Sequence, residues 1–131
     1  MDKIKTFMKY ASRLVGLDDL IEYSIVDGTG QERTRAICDR ENYRIYFNKQ
    51  WLDKANDAEI LKCVLHECRH CYQQACIEFP IDFNKERLEV VNQWKHEFEN
   101  PINPYDNEEK YNNQLSEIDA ELYAINVIKR Y

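Results

Sequence analysis

Glycine and proline are scarce in this 131-residue chain, three of each. That scarcity excludes collagen-like repetition, Gly-rich linkers and Pro-rich disordered tracts. Long hydrophobic runs are missing too: nothing approaches the roughly 18 apolar residues of a membrane-spanning helix. The N-terminal "MDKIKTFMKYASR" lacks both the continuous apolar stretch and the small-residue cleavage site of a secretory signal. A cytoplasmic protein with no membrane partner is therefore expected. Positive charge is also in deficit. A net charge of −6 without a clustered basic face argues against a nucleic-acid partner. The N-terminal lysines read as the solvated face of an amphipathic helix. Histidine is the rarest chemistry-bearing residue, with three in all, yet two of them fall in one decapeptide, "VLHECRHCYQ", residues 64 to 73.

What is present is the material of one ordered domain. Hydrophobic residues make up 44% of the chain, and no repeat, low-complexity tract or linker divides it, so residues 1–131 read as one domain. Five cysteines, an odd number, suit free thiols in a reducing compartment better than a disulfide framework. Apolar positions Ile4, Phe7, Met8, Ala11, Leu14 and Val15 have helical spacing over residues 3–16. "LIEYSIVD", "ERTRAICD" and "YRIYFN" read as three strands, separated by the turns "DGTG" and "DREN". Sequential strands with short turns predict an antiparallel meander. Asn56 and Glu59 form a capping-box pattern opening a helix that runs from Asp57 to about Glu78, where Pro80 stops it. Further helices are expected over about 84–99 and 114–130, with "NPINPYDNEEKYNN" as a loop between them. One helix, three strands and three helices give an α+β fold.

On the helix over 57–78, Ile60, Leu61, Val64, Leu65, Cys68, Cys71, Tyr72 and Ala75 share one face. Glu59, Cys63, His66, Glu67, His70 and Gln74 share the other. His66 and His70 are one turn apart, so their imidazoles can converge on one ion, and Glu67 lies beside them. This is the HExxH arrangement, in which two neutral imidazoles bind Zn²⁺ and the carboxylate handles the proton of a metal-bound water. Cys68 and Cys71 have redox spacing but point inward, as small core residues do. Cys63 is on the histidine side, where packing, metal neighbourhood and a regulatory thiol role all stay open.

Two histidines need a third ligand. Gln73 and Cys76 stand where a metzincin has Gly and His. Cys38, in "AICDR", lacks the context of a deformylase cysteine, and His96, in "WKHEFE", has no supporting pattern. The last helix offers "NQLSEIDAELYAI", with Glu117 and Glu121 one turn apart and Ala120 and Ala124 beside them. Small residues there permit close helix approach. Leu115, Ile118, Leu122 and Ile125 form the stripe expected to hold this helix in the core, with Asp119 on a different side.

"HECRH" followed by "EIDAELYA" resembles the gluzincin clan of zinc metallopeptidases, in particular the minigluzincins and the short ImmA/IrrE-type proteases. The resemblance covers about residues 42–127. It implies a small zincin-like domain with a three-stranded antiparallel sheet, an HExxH helix and a C-terminal helix supplying the last ligand. It further implies one Zn²⁺ on His66, His70 and Glu117, with Glu121 supporting a histidine and Glu67 as the catalytic carboxylate. Glu121 departs from the aspartate usual in many such enzymes. The expected substrate is a peptide or protein bound along an edge strand near Tyr43 to Asn48. Tyr111, Tyr105 and His96 are candidates to stabilise the transition state. The competing expectation is a zinc-binding regulatory or interaction module without turnover.

Overall fold

The computed structural model describes residues 2–27 and 35–130. The turn expected at "DGTG" and the first residues of "ERTRAICD" lie outside them. The first helix, α1 (Asp2–Leu14), buries Ile4, Phe7, Met8 and Ala11 along one stripe. It ends where Gly16 takes φ +74°, with Leu17 N bonded to Ser12 O at 2.9 Å and Gly16 N to Arg13 O at 3.0 Å. This is a Schellman cap, whose left-handed residue is cheapest as glycine.

Three strands follow: β1 (Glu22–Val26), β2 (Ala36–Asp39) and β3 (Arg44–Asn48). The expected antiparallel meander is half right. β2 and β3 form the antiparallel hairpin, Asp39 opposite Arg44, closed by a 3-10 turn over Arg40–Asn42. But β1 pairs parallel with β3, Glu22 opposite Arg44, so the spatial order is β1-β3-β2. The burial pattern explains the choice. Ile45 and Phe47 of β3 are wholly buried, and a deeply buried strand needs both rows of backbone groups paired. The most buried strand therefore takes the middle. This also corrects the edge strand expected at residues 43–48: both sides of β3 are occupied, and the outer strands are β1 and β2.

Tyr43, which leads into β3, has left-handed backbone angles, φ 53° and ψ 45°. Its side chain is buried, with the hydroxyl donating to Glu78 at 2.6 Å and the ring stacked on Phe79. Two short helices were not foreseen. The first, α2 (Lys49–Lys54), is capped by the Asn48 side chain, which accepts from Gln50 N at 3.0 Å.

The long helix α3 (Asp57–Glu78) follows the sequence expectation closely. Both arms of its capping box are made: Glu59 N to Asn56 Oδ1 at 2.9 Å and Asn56 N to Glu59 Oε1 at 3.0 Å. All eight residues assigned to its apolar face are buried. After it come α4 (Leu88–Glu99), the second unforeseen helix α5 (Glu108–Asn112), and α6 (Leu115–Ile128).

The close approach expected through Ala120 and Ala124 is made, but the large apolar stripe expected in the core is not. Leu115, Ile118 and Leu122 are exposed, whereas Ser116, Ala120 and Ala124 are buried, and α6 packs chiefly on α3. Small residues at i, i+4 and i+8 let the two helix backbones come close; a stripe of leucine and isoleucine would hold them apart. The N-terminus of α6 is satisfied from α4: buried Glu97 accepts from Leu115 N at 2.9 Å and Ser116 N at 2.8 Å. These bonds, with one from Gln93, overcome burial and hold the Glu97 carboxyl below its ordinary pKa.

Candidate metal centre

The approach of α3 to α6 brings His66, His70 and Glu117 together. One donor atom from each lies within 4.8 Å of the others, and among the described residues this is the group that could hold a metal ion. Glu117 spans the pair, with Oε1 3.2 Å from His66 Nε2 and Oε2 2.9 Å from His70 Nε2. The two Nε2 atoms are themselves 3.2 Å apart.

The surroundings fix these side chains. His70 is buried, and its Nδ1 donates to Gln73 Oε1 at 2.9 Å. That contact turns Nε2 toward Glu117 and His66. Gln73, fully buried, spends its amide hydrogens on Ser116 O at 2.9 Å and Asp119 Oδ2 at 2.8 Å, both on α6. Arg69 adds a two-pronged ion pair to Asp119, at 2.8 and 3.1 Å. Sequence reasoning assigns Arg69 no role, reads Gln73 only as a departure from a metzincin, and sets Asp119 on a different side, where it in fact meets α3. The available signal was position: Gln73 falls three residues after His70, and so on the same side of α3.

His70 and Glu117 shift each other's proton affinities. Burial opposes charge on His70, but the Glu117 carboxylate outweighs it and the His70 pKa rises to about 9. Burial likewise opposes ionisation of Glu117, yet hydrogen bonds from both histidines push its pKa far below the carboxylate range. Glu67 behaves differently. Burial raises its pKa, the neighbouring histidines only partly countering it, and it stands outside the three-donor cluster.

A cleft of about 530 Å³ touches the cluster at His66, and Cys63, Glu67, Tyr105, Tyr111 and Glu121 are among its other lining residues. Tyr111, on α5, faces the Glu117 and Glu67 carboxylates; burial first and those charges next raise its pKa. Tyr105 is half exposed at the rim. His96 is elsewhere, exposed on α4 beside Asn100 and outside the cleft lining. Glu121 stands near His66 rather than His70, its Oε1 3.8 Å from His66 Nδ1 and 3.4 Å from Lys62 Nζ. The start of β2 reaches the same cleft through Ala36.

Cys68 and Cys71 are fully buried. No helix is long and apolar enough to cross a membrane among the described residues. No family model matches the chain, and no curated protein matches it significantly.

Proposed function

We propose that the protein is a zinc-dependent peptide hydrolase of the minimal gluzincin type. The observation that carries this reading is the pairing of a three-donor cluster with a carboxylate that stays out of it. His66, His70 and Glu117 converge, while Glu67 lines a cleft together with His66. Two imidazoles and a carboxylate are a donor set suited to Zn²⁺. With one donor atom from each residue, the three lie within 4.8 Å of one another, close enough to share one ion. Three protein donors, rather than four, leave a position for water, as catalytic zinc sites do.

Bound there, Zn²⁺ would supply a polarised carbonyl and a water acidified to near neutrality. The protein's own groups do the rest. Glu67 takes the water's proton on its carboxylate and returns it to the leaving amine, and its raised pKa suits a group that must hold a proton between the two steps. Tyr111, with a phenol that stays protonated, can donate to the developing oxyanion. An extended peptide would lie along the free edge of β2, main chain to main chain.

Glu67→Gln tests the mechanism. The expected result is stoichiometric zinc by mass spectrometry with hydrolysis of a casein-derived peptide mixture reduced by at least about 100-fold. Glu117→Ala should lose zinc itself. Unimpaired turnover in the Glu67→Gln variant would sink the mechanism. Full zinc loading without turnover in the unaltered protein would favour a regulatory zinc module.

A further inference from the structure

Cys38 and Cys71 take no part in the metal cluster or in the proposed hydrolysis. They come from different elements, β2 and α3, and their Sγ atoms are 3.6 Å apart. All five cysteines are free thiols, and this is the thiol–thiol contact found among the described residues. Its location sets it apart from ordinary core packing. Cys71 directly follows His70, and Cys38 lies on the strand that borders the cleft.

The structure assigns Cys38 and Cys71 as an oxidation site, at which a hydroperoxide converts two thiols into a disulfide stapling β2 to the metal helix. Cys38 is the less buried residue of the pair, Cys71 being fully buried, so the peroxide reaches Cys38 first. The Cys38 sulfur attacks the peroxide oxygen, the O–O bond breaks, and Cys38 sulfenic acid forms with one alcohol or water. Cys71 then attacks that sulfur, expelling water and closing the S–S bond. The sulfurs need approach by only about 1.5 Å to reach bonding distance. β2 can supply that movement because it is an edge strand, held on one side by β3. The hydrogen bond that the Cys38 thiol shares with Cys71, together with burial, raises the Cys38 pKa above its ordinary value, so oxidation needs sustained exposure. Once formed, the bond fixes the spacing between the substrate-side strand and the helix carrying His66 and His70.

Peptide mapping of the folded, full-length protein tests this. After prolonged hydrogen peroxide, remaining thiols are alkylated and the chain is digested without reduction by trypsin and chymotrypsin. Cleavage after Tyr72 separates Cys71 from Cys76. The expected product is residues 36–40 joined to residues 70–72, two hydrogens lighter than the separate peptides. The thermal midpoint should rise by roughly 5–10 °C, reversibly with dithiothreitol. Cys38→Ser should abolish both the joined peptide and the shift. Recovery of Cys38 and Cys71 alkylated after treatment would overturn the assignment. So would Cys71 joined to another cysteine, or Cys38 over-oxidised while Cys71 stays free.

Discussion

Gln73 carries more of the candidate metal site than its neutral side chain suggests. It holds the Nδ1 hydrogen of His70 and spends both of its own amide hydrogens on α6. Its side chain is fully buried, so water cannot stand in for these bonds. Gln73→Leu, similar in volume, should leave Ser116 O and Asp119 short of a partner and free the His70 ring to turn. Zinc affinity measured against a chelator should fall about 10- to 100-fold, with about 1–3 kcal/mol lost in urea unfolding. Unchanged affinity would mean that packing alone orients His70. The two histidines and Glu67 were legible in the sequence because HExxH is a local spacing on one helix. Gln73 was not, because its partners lie on α6, and nothing local says which α6 residues will face it.

At the scale of elements, α3 and α6 differ in how far pattern alone describes them. In α3 the capping box, the apolar face and the Pro80 stop agree, and each depends on neighbours within a turn. In α6 the alanines mark the contact face, while the large apolar residues mark the wrong one. Hydrophobicity favoured Leu115, Ile118 and Leu122, but bringing Glu117 to the histidines needs backbone approach, and that selects Ser116, Ala120 and Ala124. Substitutions should report this reversal. Ala120→Leu should cost about 1–3 kcal/mol or more by overpacking and weaken zinc binding, because it pushes Glu117 outward. Leu122→Gln, at a half-exposed position, should change stability by no more than about 0.5 kcal/mol. Denaturant unfolding of the two variants decides it, and equal losses would contradict the observed packing. The parallel pairing of β1 with β3 was equally illegible, since it depends on which strand the helices bury.

For the whole molecule, a metal bound at the cluster would be linked to protons and to stability. The His70 pKa is raised to about 9 in the folded, metal-free protein, against about 6.5 in an unfolded chain. Its protonation therefore stabilises the fold fully below about pH 6.5, and that contribution is lost as pH rises through about 9. Glu117, with its pKa depressed, acts in the opposite direction and protects only above the carboxylate's unfolded value. Metal-free protein should thus show its thermal midpoint falling from pH 6.5 to 9. Zinc binds the deprotonated ligands, so the midpoint gained on adding it should grow over the same range. At 1,000 times Kd, zinc should add about 4 kcal/mol. Calorimetry with and without chelator across this range checks both slopes; a metal-free midpoint that rises toward pH 9 would contradict the cluster's electrostatics.

The left-handed turn at Tyr43 bears on what the chain can tolerate. Glycine would relieve the backbone there, but it would give up the hydroxyl on Glu78 and the ring on Phe79. Any residue large enough to keep those contacts must accept the strained angles. Phenylalanine keeps the ring but leaves the Glu78 carboxylate without that donor. The far end of the metal helix is thus fastened to the sheet through a position where conformational ease and anchoring conflict. Few substitutions at Tyr43 would leave both the sheet and the helix where they are.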